Sequence, residues 1–119
     1  AIGLMPFVID YKIKYASLLF GINQVDDAEK QYLDALVLNP TIKEIHANLG
    51  LIAILKGRYN DAQNSLKQAI ALDPDYILAY ENLVLLSQQT NNYESAEVYL
   101  NKILEIDPRH KARRILKDL

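Results

Sequence analysis

The sequence predicts an all-α fold built from repeated pairs of helices. The four prolines recur at intervals of 34 positions, at Pro6, Pro40, Pro74 and Pro108. A regular period of this length is the sequence signature of a helical repeat array. Within each period the apolar residues follow helical spacing. No segment of appreciable length alternates between apolar and polar residues as a half-buried strand does.

The middle period shows how one unit is organised. We predict that Asn39 caps its first helix and that Pro40 takes the first helical position, where a missing N–H is harmless. Gly57 then interrupts the helical pattern, because glycine accepts turn conformations that other residues avoid. A second helix is predicted from about Tyr59 to Leu72. Asp73 is predicted to end that helix and to cap the next one.

Small residues mark the place where the two helices of this unit should lie closest. Gly50 and Ala62 fall at facing positions, and a large side chain at either would force the helices apart. Leu49 and Leu66 are predicted to fill the space beside them. The sequence therefore predicts a tight helical hairpin.

Motif residues recur in the same phase in all three full periods. They are Leu49-Gly50, Ala62, Leu66 and Pro74 in the middle period, Tyr80, Leu83, Ala96, Leu100 and Pro108 in the third, and Tyr15-Ala16, Ala28, Tyr32 and Pro40 in the most divergent first period. This pattern resembles the tetratricopeptide repeat. The resemblance covers essentially the whole chain. It implies a right-handed α-solenoid of helix-turn-helix units.

The phase of the resemblance also implies a division of the chain. Residues 1–8 match the end of a preceding repeat, residues 9–42, 43–76 and 77–110 form three repeats, and residues 111–119 form a capping or continuing helix. The first residues also suggest that the chain starts inside a repeat. Apolar residues near the two ends should then be partly exposed to solvent, so we expect the ends to promote self-association. The residues concerned at the first end are Ile2, Leu4, Phe7, Val8 and Ile9.

Composition and motifs argue against several classes of function. The net charge of −2 lacks the basic excess of a nucleic-acid binder, and there is no cysteine for a disulfide, thiolate metal site or nucleophile. His46 and His110 lie far apart, neither has a metal-ligand partner at helical spacing, and no glycine-rich phosphate loop is present. The apolar opening is too short to span a membrane. We therefore expect no enzyme activity, metal, cofactor, nucleic acid or membrane span, and a soluble, cytoplasmic location is favoured.

The family resemblance implies a peptide-binding groove on the first helices of the units. Asn48 and Asn82 directly precede the repeat leucines, at a position that faces the concave surface in this family. In one member, the O-linked N-acetylglucosamine transferase, asparagines at this position form a ladder along a peptide backbone, which an amide can serve as donor and acceptor. Lys14 replaces asparagine in the first repeat, and a local structural role for the two asparagines stays open. The other expected groove residues are Ile13, Glu44, Leu51, Leu78, Glu81 and Leu85.

The charges of this groove argue against one known partner class. The clamp that holds acidic chaperone tails in this family needs several basic residues on the first helices. Here only Asn48 matches its pattern, and its other positions hold Ile13, Ser17, Leu78 and Asn82. With its apolar and acidic residues, the groove instead suits a partly apolar, neutral or basic peptide. A chaperone acidic tail is therefore not the expected partner.

Three functions remain open. The first is a scaffold or adaptor that binds a peptide or helix in the groove. The second is a non-catalytic, substrate-presenting region of a larger enzyme such as a transferase. The third is self-assembly through open repeat ends.

Overall fold

The structure, a computed structural model, describes residues 5–117, and its regular secondary structure in that range is entirely helical. Seven helices follow one another, and the described residues contain no strand. They are α1 (Met5–Gly21), α2 (Val25–Leu38), α3 (Lys43–Leu55), α4 (Tyr59–Leu72), α5 (Ile77–Gln89), α6 (Tyr93–Ile106) and α7 (Ala112–Lys117). The molecule measures 51 × 27 × 23 Å, as expected of a short array. The prediction of an all-α solenoid is confirmed.

The helices stack in the order in which they occur in the chain. Helices α1 and α2, α3 and α4, and α5 and α6 form antiparallel hairpins, and α7 packs on α6. Helix α5 contacts both α4 and α3 of the preceding hairpin, whereas α3 contacts the preceding hairpin mainly through α2. The first helices α1, α3 and α5 therefore follow one another along one side of the array.

The turn inside each hairpin uses a residue with a left-handed backbone. Asn23, Gly57 and Asn91 have φ angles of 66°, 75° and 55°, and they lie one period apart. In the second hairpin the N–H of Arg58 bonds to the carbonyl oxygen of Ala53 at 2.8 Å, which closes the end of α3. Glycine and asparagine are the residues that accept this conformation most readily at a helix end.

The turns between hairpins differ from the sequence prediction. Asn39 ends α2 but does not cap α3, because α3 begins only at Lys43 and the Asn39 side chain does not reach its first turn. Asn39 Oδ1 instead accepts from the N–H of Thr41 at 2.9 Å, and Asp73 Oδ1 accepts from the N–H of Asp75 at 3.0 Å. Pro40 lies in this turn rather than at the first helical position. Both capping predictions are therefore wrong.

The beginning of the array also differs from the prediction. Helix α1 runs back to Met5, so residues 5–8 belong to the first helix of the first hairpin and not to a preceding unit. Ile2 and Leu4 lie outside the described residues. At the other end, α7 supplies the expected extra helix over Ala112–Lys117, and residues 118–119 lie outside the described range.

The close approach inside the second hairpin is confirmed. A Cβ atom added to Gly50 would lie 2.7 Å from Leu66 Cγ and 3.4 Å from the backbone oxygen of Ala62. Ala62 and Leu66 are fully buried. Only glycine fits at this contact without displacing Leu66.

Candidate functional site

The expected groove residues lie on three consecutive first helices. Because α1, α3 and α5 are related by the 34-residue period, positions 14, 48 and 82 are equivalent. The structure places Ile13 and Lys14 on α1, Glu44, Asn48 and Leu51 on α3, and Leu78, Glu81, Asn82 and Leu85 on α5. The groove itself stays a prediction, but each of its side chains now has a described environment.

The side chain of Asn82 forms a hydrogen bond within the protein. Its side chain is buried, and Nδ2 donates to the backbone oxygen of Ala47 at 3.1 Å. This bond runs from α5 to α3 and so joins two consecutive hairpins. One N–H of this amide is therefore engaged within the protein, and the burial of the side chain limits its access to a peptide.

Asn48, the equivalent residue one period earlier, is in a different state. Its side chain is half-buried and makes no hydrogen bond to any residue between Met5 and Lys117. Glu44 lies one turn earlier on α3, is exposed, and forms no ion pair within the same range. Helix α3 therefore presents an amide and a carboxylate with unused hydrogen-bonding capacity.

The third equivalent position, Lys14, is paired on its own helix. Lys14 Nζ lies 3.0 Å from Asp10 Oδ2, and both side chains are exposed. Exposed pairs of this kind contribute little stability. The three positions of the expected ladder therefore hold an ion-paired lysine, an available amide and an engaged amide.

An apolar hollow lies between the first half of α1 and the link from α2 to α3. Its volume is about 430 Å³. Apolar side chains form most of its wall, with Asp10 and Asn39 as polar members. The lining residues are Met5, Pro6, Ile9, Asp10, Ile13, Leu38, Asn39 and Ile42. Of these, only Ile13 was predicted from the sequence to line the groove.

Larger side chains occupy the equivalent place one repeat later. Lys43 stands where the first repeat has Ile9, and Tyr76 stands where it has Ile42. Lys43 Nζ lies 4.6 Å from the centre of the Tyr76 ring and 2.5 Å from Asp73 Oδ2. The hydrogen bond from Lys43 holds the pKa of Asp73 below its ordinary value. Among the described residues, two isoleucines therefore stand in the first repeat where the second repeat has this longer pair.

The groove around α3 has a negative character. Burial raises the pKa of Tyr32 to about 12, and the nearby Glu44 carboxylate adds to the effect. Burial and then Glu44 also raise the pKa of Tyr76. Both shifts have the sign expected beside an unneutralised carboxylate.

The lysines on the same helices are already matched by carboxylates. Lys12 Nζ lies 3.7 Å from Asp34 Oδ2, and Lys14 and Lys43 form the pairs described above. Helix α5 contains no lysine or arginine. A carboxylate tail bound here would have to compete with these internal partners.

Glu81 connects the groove to the last helix. His110 Nε2 lies 3.2 Å from Glu81 Oε2, and His110 Nδ1 accepts the backbone N–H of Ala112 at 2.9 Å. Because a backbone N–H can only donate, Nδ1 is the unprotonated ring nitrogen and Nε2–H donates to Glu81. Glu81 therefore positions the start of α7 and is less available than Glu44.

The described residues hold no candidate metal centre. Between Met5 and Lys117 there is no group of three histidine or acidic side chains arranged to bind an ion. None of the helices in that range is both long and apolar enough to cross a bilayer.

Comparison with known proteins agrees with the repeat pattern. A tetratricopeptide-repeat sequence model matches residues 53–119, and a second tetratricopeptide-repeat model matches residues 15–62. No curated protein matches the chain.

Several solved structures are similar in fold. The first tetratricopeptide-repeat domain of Spaghetti, bound to an HSP90 peptide, has a TM-score of 0.85 at 18% identity, over 92% of this chain and 88% of that one. YrrB, described as having an unusual peptide-binding site, has a TM-score of 0.83 at 22% identity, over 93% of this chain and 57% of that one. The O-GlcNAc transferase of Thermobaculum terrenum has a TM-score of 0.84 at 24% identity, over 89% of this chain and 20% of that one.

Proposed function

Because this chain belongs to the tetratricopeptide-repeat family, we propose that it is a non-catalytic protein-interaction module that binds a peptide or helix in the groove of α1, α3 and α5. One observation carries the proposal. Asn48 and Glu44 on α3 have no partner among residues 5–117, and an apolar hollow of about 430 Å³ lies between α1 and the link that leads to α3. The groove thus combines an apolar recess with a few polar groups, as binding sites commonly do.

The hollow selects an apolar anchor. Its volume lies within the roughly 300–1,000 Å³ of typical ligand pockets, and Ile9, Ile13 and Ile42 line it. In the next repeat an aromatic ring, that of Tyr76, occupies the equivalent place. The partner therefore carries an aromatic or large aliphatic side chain that enters the hollow.

The charges select a neutral or basic partner. Glu44 is exposed and unpaired within residues 5–117, and the lysines of the same face already have carboxylate partners. A lysine or arginine on the partner gains an ion pair with Glu44, whereas an acidic tail meets a like charge. Although the Spaghetti domain is described with an HSP90 peptide, we do not propose such a tail as the partner here.

Asn48 supplies the contact to the partner's backbone. Its amide offers both donors and an acceptor, and its equivalent Asn82 bonds a backbone carbonyl at 3.1 Å within the protein itself. The bond proposed from Asn48 to a partner is of the same type as the bond that Asn82 makes within the chain. The first two hairpins, rather than all three, form the binding region.

Selection from a random-peptide display library on the immobilised chain tests this function. Peptides that combine an aromatic or large aliphatic residue with lysine or arginine are expected to be enriched, and Ile13→Glu is expected to abolish their binding. Val37→Glu is the matched control, because Val37 is exposed on α2 and outside the groove. Enrichment of acidic peptides, or equal binding to both variants, contradicts the proposal.

A second function is favoured by the transferase comparison. A region of this size forms 20% of the Thermobaculum terrenum enzyme, so the same fold occurs as part of a larger transferase. In that setting the groove holds a substrate protein while another domain reacts with it. Sequencing the coding region on both sides of this chain separates the two functions, because only the second requires an adjoining catalytic domain.

A further inference from the structure

Helix α1 carries an uncovered apolar stripe on the side opposite the core. The α1 stripe consists of large apolar side chains spaced four, four, three and four residues apart, which places those within α1 on one helix face. The last member, Ile22, directly follows α1, and its N–H still donates to the carbonyl oxygen of Leu18 at 3.2 Å. Its members are Phe7, Tyr11, Tyr15, Leu18 and Ile22, and their exposed fractions range from 41% to 74%. The rings of Tyr11 and Tyr15 stack with centroids 6.0 Å apart. A contiguous exposed patch of this kind marks an interaction surface.

The repeat period shows what this face is shaped to contact. Ile45 and Ala79, one and two periods after Tyr11, are fully buried, and Ile52 and Leu86, the equivalents of Leu18, are also buried. Their helices, α3 and α5, pack against a preceding hairpin. The central members of the α1 stripe, Tyr11 and Leu18, therefore occupy positions at which a first helix packs on another helix, whereas the equivalents of Phe7 and Ile22 are exposed.

The spacing of the stripe is nearly the same when read backwards. Reversal about the midpoint between Lys14 and Tyr15 places Phe7 on Ile22 and Tyr11 on Leu18. A two-fold axis through that midpoint thus sets four of the five apolar side chains against apolar side chains of an antiparallel copy, and sets Tyr15 against Lys14. Self-complementarity of this kind is the requirement of a closed two-fold interface.

We propose that the α1 stripe binds the α1 stripe of a second copy of this chain, antiparallel and about a two-fold axis near Lys14 and Tyr15. In this dimer Phe7 contacts Ile22 of the second copy, and Tyr11 contacts its Leu18. Lys14 lies beside Tyr15 of the second copy, where its ammonium group can rest against the ring. The stripe spans roughly 22 Å at the 1.5 Å rise of a helix, long enough for a continuous helix pair.

The opposite end of the array argues against head-to-tail stacking. Helix α7 exposes Arg113, Arg114 and Lys117, and Lys111 precedes it. Placing this cationic helix on the α1 stripe would remove charged groups from water, and Asp10, the carboxylate beside the stripe, is already paired with Lys14. A two-fold pair of α1 stripes instead closes on itself, so assembly stops at two copies.

The dimer leaves the hollow accessible. Ile9, Ile13 and Ala16 lie on the side of α1 that faces the core and the hollow, whereas the α1 stripe lies on the other side. Lys14 is shared, because it is an expected groove residue and also lies at the proposed two-fold axis. Variants at Ile13 and at Leu18 therefore test peptide binding and dimer formation separately.

Light scattering across a concentration series tests the stoichiometry. The chain is expected to reach about twice its mass of 13.5 kDa. Leu18→Glu is expected to raise the dissociation constant by more than roughly tenfold, because a central buried contact becomes a charge. Val98→Glu, an exposed valine on α6, is the matched control and keeps the parent mass. A constant 13.5 kDa, or a mass that grows without limit, overturns the proposal.

Disulfide trapping tests the orientation, since the chain contains no cysteine. A mixture of the Phe7→Cys and Ile22→Cys variants is expected to form a mixed disulfide rapidly, while each variant alone stays mostly uncrosslinked. A parallel or irregular pairing instead crosslinks Phe7→Cys with itself and overturns the antiparallel dimer. Circular dichroism of each variant shows whether its helices are intact.

Discussion

The Tyr80 hydroxyl donates to the carbonyl oxygen of Pro74 at 2.8 Å, across the turn that joins the second and third hairpins. One period earlier, His46 Nε2 lies 2.7 Å from the carbonyl oxygen of Pro40. The two bonds are equivalent, so an aromatic side chain in the first helix holds the turn before that helix. This polar function explains how histidine can stand at a position that favours aromatic packing residues.

Tyr80→Phe is expected to lower the free energy of unfolding by about 0.5–1.5 kcal/mol, because it removes this bond and keeps the ring. Urea denaturation followed by circular dichroism measures the change. Tyr93→Phe is the control, since Tyr93 is exposed and its hydroxyl contacts Asn91 only at 3.3 Å. Equal midpoints for both variants would show that the bond to Pro74 contributes nothing.

Gly50→Ala is expected to destabilise the protein although alanine is the better helix former. The new Cβ meets Leu66 Cγ at 2.7 Å, and overpacking of this kind costs about 1–3 kcal/mol against a helix gain of about 1 kcal/mol. Gly21→Ala is the matched control, because no atom lies within 4 Å of its added Cβ. The control is expected to be neutral or stabilising.

A double-mutant cycle identifies the contact responsible. If Leu66 is the obstacle, Gly50→Ala costs less in a Leu66→Ala background than in the parent. Thermal melts of the four proteins measure this coupling. Additive effects would place the strain elsewhere in the hairpin.

Stability is expected to fall as the pH rises above 10. Burial, assisted by Glu44, raises the pKa of Tyr32 to about 12 in the folded protein, whereas the unfolded chain releases the same proton near the ordinary value of 10.0. Between these values the unfolded state binds fewer protons, so its population grows with pH. The stabilising effect is complete below pH 10 and is lost towards pH 12.

Tyr32→Phe isolates this contribution, since Tyr32 makes no hydrogen bond to another residue of the 5–117 range. The variant is expected to lose roughly 2 kcal/mol less than the parent between pH 10 and 12, by the usual conversion of a pKa difference. Tyr93→Phe is again the control and should follow the parent. Parallel pH profiles for Tyr32→Phe and the parent would contradict the assignment.

The 34-residue period predicted most of the architecture. It located the three hairpins, the turn at Gly57 and the tight contact at Gly50. It did not distinguish a helix cap from a turn, because an Asn or Asp before proline serves either purpose. The distance from Asn39 to the start of α3 decides between them, and that distance is a property of the folded turn.

The groove was harder to predict because equivalent positions have different neighbours. Asn48 and Asn82 are the same residue in the same phase, but α5 packs directly on α3, whereas α3 meets the preceding hairpin mainly through α2. Only Asn82 therefore finds a carbonyl at 3.1 Å. The period could also have indicated the exposed apolar face of α1, since Tyr11 and Leu18 stand where Ile45 and Ile52 are buried.

The two asparagines are expected to respond differently to substitution by alanine. Asn82→Ala removes the bond between α5 and α3 and is expected to cost about 0.5–1.5 kcal/mol of stability. Asn48→Ala removes no bond within residues 5–117, so its stability should stay within about 0.5 kcal/mol of the parent. For a library-selected peptide the order reverses. Asn48→Ala is expected to weaken binding roughly threefold to tenfold by the same hydrogen-bond magnitude, and Asn82→Ala to leave it nearly unchanged.

Urea denaturation and isothermal titration of the same two variants measure these opposite effects on one protein. Asn48→Asp is a useful third variant, because it keeps the size and the acceptor while it loses the two N–H donors. If the amide donates to a peptide carbonyl, Asn48→Asp binds as weakly as Asn48→Ala. If the amide serves only as an acceptor, Asn48→Asp retains the affinity. Weakening by Asn82→Ala to the same extent as by Asn48→Ala, with stability unchanged in both, would mean that both amides face the peptide and that the bond to Ala47 does not persist in solution.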